Sequence, residues 1–120
     1  MNNKPKYNLF KNSKYAIDGL IHAFKTESSF KLELIIGLFL LITIYFSNFE
    51  LLYKLILICT LFLVLIVELL NSAIENTVDL ITKEIHPLAK SAKDIGATAV
   101  MFSIILHLVC WLIIINKYYI

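Results

Sequence analysis

Apolar and polar positions fall in long blocks along this chain, and three blocks carry almost no charge. Leu34 to Phe46 is uncharged and extends to Phe49. Leu55 to Val67 leads into a polar stretch, and Ile95 to Ile115 continues for about twenty residues. As a helix the last is long enough to cross a hydrocarbon core of roughly 30 Å. The first two are short for lone spans and would cross by borrowing their flanks or in a locally thinned bilayer. Between them "SNFELLYK" reads as a tight turn. Between the second and third, "TKEIHPLAKSAKD" is polar and holds Pro87, so it reads as a loop with helical ends. Residues 7–26 keep a different rhythm. At about 100° per residue, Phe10, Ile17, Leu20, Ile21 and Phe24 share one stripe, and Lys11, Lys14, Asp18, His22 and Lys25 share another. Such a helix is too polar to span and lies on the membrane surface. The expected fold is therefore an all-α integral membrane protein, a helical bundle in one domain over 1–120. An amphipathic surface helix at 7–28 precedes three transmembrane helices at about 30–49, 52–82 and 92–117.

Composition agrees with a membrane protein. The chain is 59% hydrophobic over 120 residues, and its mean hydropathy is +0.79, too apolar for an ordinary soluble domain. A net charge of +2 does not point to nucleic acid as a partner. All eleven basic residues are lysines, and their placement sets a direction. Lys4, Lys6, Lys11, Lys14, Lys25, Lys31, Lys83, Lys90 and Lys93 precede the first span or lie in the second loop, while only Lys54 and Lys117 fall on the other side. The excess of lysine inside predicts a cytoplasmic N-terminus and second loop. Cys59 and Cys110 lie in apolar runs and read as buried free thiols. The first thirty residues lack a continuous apolar core, so a cleaved signal peptide is not expected.

The second apolar block ends in "VELLNSAIENTVDL", where a span should meet water. On a helix Asn71, Ser72, Glu75 and Asp79 follow Glu68 within a sector of roughly 100°. The result is one polar column descending into the membrane. Adjacent carboxylates repel, and burying an ionised one is costly unless a cation, a proton or a partner is supplied. A solvated helix end or glue between helices would also use such residues. Glu27 and Glu33 before the first span, and Lys90, Lys93 and Asp94 before the third, converge on the same side. Several carboxylates with an amide suit Mg²⁺, a lysine suits phosphate, and a further carboxylate can accept a proton from an alcohol. Those are the parts for phosphoryl transfer. Gly19, Gly37 and Gly96 are far apart, so a glycine-rich phosphate loop is absent.

"ELLNSAIENTVDL" followed by "HPLAKSAKDIGATAV", with "ESSFKLE" ahead of the first span, resembles the small prokaryotic diacylglycerol kinase family over nearly the whole chain. The resemblance implies a homotrimeric enzyme of the bacterial inner membrane. It would use ATP and Mg²⁺ to phosphorylate the hydroxyl of diacylglycerol, giving phosphatidic acid at the cytoplasmic face. By motif, Glu68 would be the general base, with Asn71 organising the site. Glu27 and Glu75 would hold the metal. Tyr15, Glu27, Glu75, Glu84, Ile85, His86, Lys93 and Asp94 would contact the nucleotide. Asp79 and Glu33 would be additional acidic positions of the site. Asn8 stands where family members often carry an arginine; Lys6 or Lys11 would have to compensate, without the bidentate fork. "HPLAK" resembles the undecaprenol kinase branch, whereas "ESSFKLE" and "KDIGATAV" resemble the diacylglycerol branch. Undecaprenol is thus the alternative lipid. A non-enzymatic subunit that relays ions or protons is the alternative of another class.

The remaining singular residues read plainly. His107, within the third span, is expected to be a hydrogen-bonded interhelical histidine. Trp111, Tyr118 and Tyr119 are expected in the aromatic belt of the far interface. Gly96, Ala97 and Ala99 would let helices approach closely.

Overall fold

A computed structural model describes residues 6–120; Lys4, one of the orienting lysines, lies outside the described residues. Four helices follow one another: α1 over Leu9–Thr26, α2 over Ser28–Phe46, α3 over Leu51–Ile81 and α4 over Pro87–Tyr119. The described residues hold no strand. The fold is an all-α membrane bundle, and α2, α3 and α4 are each long and apolar enough to cross a bilayer.

Local chemistry sets the ends of each helix. Asn8 starts α1: its side-chain oxygen accepts from the backbone N–H groups of Phe10 and Lys11, at 3.0 and 3.2 Å. It satisfies two donors that a helix start would otherwise leave unpaired. Glu27 is extended and breaks the chain between α1 and α2. After α2, residues 47–50 turn the chain, with the Ser47 hydroxyl donating to the Ile44 carbonyl at 2.7 Å. α4 starts earlier than the polar loop composition suggests. His86 caps it, Nδ1 accepting from Leu88 N–H at 3.1 Å, and Pro87 takes a first-turn position. A proline there costs nothing, because its missing N–H has no helical partner in any case. The loop contracts to 82–86.

α3 is the central helix, packed along α4 on one side and α2 on the other, with α1 against the head of α2. At 31 residues α3 is about 46 Å long, well beyond a hydrocarbon core of roughly 30 Å. Its last turns, which hold the outer members of the carboxylate column, therefore extend beyond the length of such a core. The opposite end of the bundle is clasped by Ile44, Phe49, Leu57 and Ile114, joined by Tyr53, Trp111 and Tyr118. Of the three aromatics expected at the far interface, two also pack into this cluster. Tyr118 turns inward, its hydroxyl accepting from Glu50 N–H at 2.8 Å, and Trp111 packs edge-on against Phe49. Tyr119 alone of the three is exposed. Cys59 is exposed on the outer face of α3 rather than buried, and both cysteines are free.

His107 is the interhelical histidine expected of its position. Its Nδ1 lies 2.7 Å from Thr60 Oγ1 on α3, and Trp111 Nε1–H donates to its Nε2 at 3.0 Å. Mid-bundle polar groups are thereby paired with one another, as an apolar surrounding demands.

Candidate active site

The polar column of α3 forms as its spacing predicts, and its inner members are buried. Glu68 is 6% exposed, and Asn71 and Ser72 are 7% exposed each. Glu75 is half-buried and Asp79 exposed, so exposure grows toward the helix end. α2 supplies a facing carboxyl: Glu33 lies against Glu68, carboxyl to carboxyl. The inner oxygen of Glu33, Oε2, is buried and has no hydrogen-bond partner. Two carboxylates at this range repel unless a proton, a cation or a hydroxyl donor lies between them.

The α1–α2 break places Glu27 beside the same column. Its Oε1 accepts from Asn76 Nδ2 at 3.2 Å. Glu75 is held from its own helix, Oε1 accepting from Asn71 Nδ2 at 2.9 Å. Glu27 and Glu75 both lie close enough to Glu68 to act on it electrostatically. Each is oriented by an amide and keeps a second oxygen for another ligand. Among the described residues no three His, Cys, Asp or Glu side chains form a closed metal cage. Two hydrogen-bonded carboxylates fit Mg²⁺, which commonly takes one or two protein carboxylates and completes its shell with phosphate and water. Asn76 was not singled out in the sequence. Its signal was its place one residue after Glu75, on the edge of the column nearest α1.

A cleft of about 290 Å³ opens where α3 turns into α4. Asp79, Lys83, Glu84, Ile85, His86, Lys90, Lys93 and Asp94 line it. Five expected nucleotide contacts, Glu84, Ile85, His86, Lys93 and Asp94, are thus brought together. Lys93 Nζ bridges to Asp79 Oδ1 at 2.6 Å, and Lys90 pairs with Asp94 one turn away. The ring nitrogen Nδ1 of His86 is engaged by its capping bond, which leaves Nε2 toward solvent. A second cleft, about 350 Å³, runs between α1 and α3 from Ala16 and Gly19 to Glu27 and Ser72. It joins the underside of the surface helix to the column. Tyr15 is 62% exposed and lines neither cleft, and Asn8 serves as the α1 cap rather than facing the column.

Comparison with known proteins identifies the family. The prokaryotic diacylglycerol kinase family matches residues 14–115. Diacylglycerol kinase of Helicobacter pylori is 38% identical over 103 residues, covering 86% of this chain and 80% of the relative. The Escherichia coli enzyme of that name is 34% identical over 111 residues, covering 92% and 91%. The Pseudomonas aeruginosa one is 36% identical over 97 residues, covering 81% and 79%. Three spans, a surface helix and kinship of this extent define a membrane-embedded lipid kinase. The chain belongs to the prokaryotic diacylglycerol kinase family.

Proposed function

We propose that this protein transfers the γ-phosphoryl group of ATP to the hydroxyl of diacylglycerol, yielding phosphatidic acid and ADP. The observation that carries the reading is the buried Glu68, facing Glu33 at the floor of a column that leads to a lysine-lined cleft. The lipid hydroxyl approaches through the cleft beneath α1 and donates to Glu68. Glu68 accepts the proton as the hydroxyl oxygen bonds to the γ-phosphorus and the bond to the β-phosphate oxygen breaks. Asn71 steadies Glu75, and Lys93 leaves Asp79 to meet the phosphates. Glu27 and Glu75 would hold Mg²⁺, which offsets the triphosphate charge. The loop residues Glu84, Ile85 and His86 lie at the far end of the lysine-lined cleft, where the adenine end of the nucleotide would reach.

The lysine distribution supports an inner-membrane protein with α1 and the α3–α4 loop in the cytoplasm, where ATP is available. The family resemblance supports assembly as a homotrimer. Undecaprenol is the second reading, favoured by "HPLAK", yet its His86, Pro87 and Lys90 lie at the loop end. Glu33 and Glu27, which belong to the diacylglycerol-type "ESSFKLE", lie at the column. Residues lining the lipid's path bear on lipid choice more than residues at the nucleotide end. The test is competitive, because specificity is a ratio of kcat/KM values. In mixed micelles with equal mole fractions of both lipids, diacylglycerol should be phosphorylated at least about tenfold faster, roughly 1.4 kcal/mol of transition-state preference. Predominant undecaprenyl phosphate would reassign the substrate, and no lipid phosphate at all would favour a non-enzymatic subunit.

A further inference from the structure

Gly96 is buried on the face of α4 that meets α3, level with Asn71. A Cβ added there would fall on Asn71 Oδ1, far inside any non-bonded contact, and 3.3 Å from Asn71 Cγ. All three of the nearest atoms within 4 Å belong to Asn71. The Asn71 side chain thus occupies the space that any other residue at 96 would fill. Its Oδ1 is buried and accepts no hydrogen bond; it rests against the α4 backbone, where a Cα–H group is a weak but tolerable neighbour. The opposite end of the amide decides the orientation. Nδ2 donates to Glu75 Oε1 at 2.9 Å, and a flipped amide would set Oδ1 against that carboxylate.

We propose that Gly96 is a positioning residue: its missing side chain lets α4 close on Asn71, so that Asn71 is held against Glu75 and Glu75 is held toward the metal and nucleotide. The inference rests on the lipid-kinase reading above. Lys93 lies one turn before Gly96 on the same helix and reaches Asp79 on α3. A side chain at 96 would therefore act twice. It would rotate the Asn71 amide off Glu75, and it would lever Lys93 away from the column. Both effects fall on the metal–nucleotide side of the site and spare the Glu33–Glu68 pair.

The test compares Gly96→Ala, Asn71→Ala, the double variant and Glu68→Gln with the parent, all purified in detergent. Folding is read by circular dichroism and thermal unfolding. Kinetics are measured separately for MgATP and lipid, and Mn²⁺ binding in the presence of ADP is followed by the resonance of the free ion. Gly96→Ala should lower kcat/KM for MgATP about a hundredfold, the scale of a misplaced site. It should weaken Mn²⁺ binding roughly tenfold, the lower range for lost outer-shell support. The lipid KM should not move. In the Asn71→Ala background the same substitution should change neither quantity. Parent-like Gly96→Ala, or an equal loss in both backgrounds, overturns the proposal. If Gly96→Ala does not fold, the double variant must fold, because the obstructing amide is gone; its failure to fold also overturns the proposal. The underlying reading fails differently: the parent then makes no lipid phosphate, or Glu68→Gln matches it.

Discussion

Lys93 Nζ sits 2.6 Å from Asp79 Oδ1, joining the two helices of the α3–α4 hairpin at its water-facing end. The pair is part-exposed, 41% and 50% at the two side chains, so its share of stability is under about 1 kcal/mol. Its value lies in keeping the ammonium group over the column. Lys93→Met should raise the KM for MgATP about tenfold or more, roughly 1.4 kcal/mol, while the unfolding temperature hardly changes. Asp79→Asn should have the smaller effect on MgATP. A large thermal shift with parent-like kinetics would make the bridge structural.

Glu68→Gln should fold and nearly abolish turnover. Glu68 is the most deeply buried carboxylate of the column and the one that faces Glu33. Loss of a general base typically costs roughly a hundredfold to ten-thousandfold. Glutamine keeps the size and one oxygen acceptor but cannot take the hydroxyl proton. A purified variant that retained most of the parent's rate would remove Glu68 from that role.

Glu27→Gln and Glu75→Gln should each raise the Mg²⁺ concentration needed for half-maximal rate and leave the lipid KM nearly unchanged. Each carboxylate is oriented by an amide, and an ion shared between them would couple the two. The double variant should therefore lose less than the product of the two single losses. Mg²⁺ titrations that overlay the parent's would show that neither is a ligand.

Sidedness is open to direct labelling. In a background where Cys59 and Cys110 are replaced, cysteines at Ser13 and Ser91 should react only from the cytoplasmic side. A cysteine at Asn48 should react only from outside. All three positions are exposed, so labelling reports access and not burial. Opposite sidedness for Ser13 and Ser91 would rule out a three-span topology.

Much of this was legible in the sequence because the signals are periodic. Uncharged blocks gave three spans, and the spacing from Glu68 to Asp79 gave a one-sided column. The missed features depend on which way a residue faces across the bundle. Trp111 at a span end looks the same whether it points to lipid or to His107, and only packing against Phe49 decides. The start of α4 was hidden because Pro87 and its polar neighbours suggest a loop, although a proline is welcome in the first turn when His86 caps it. Glu33 was visible as a carboxylate near the column, but its pairing with Glu68 needs the α2–α3 geometry. The role of Asn8 was read by analogy with an absent arginine, and its capping of α1 is a property of the local backbone.

The mid-bundle histidine has a consequence for how the protein meets bilayers of different thickness. Because Trp111 donates to Nε2, the ring hydrogen of His107 resides on Nδ1 and points to Thr60, whose own hydroxyl hydrogen turns to the Ile56 or Leu57 carbonyl. This one-way string of donors ties α4 to α3 at a single height. Sliding either helix lengthwise by one turn would strand several polar groups in hydrocarbon, each at a cost of several kcal/mol. A thinner or thicker membrane is then met by tilting the hairpin as one piece, since tilt is cheaper than slip. Gly96, three turns above His107 on α4, keeps its level with Asn71 through every such adjustment.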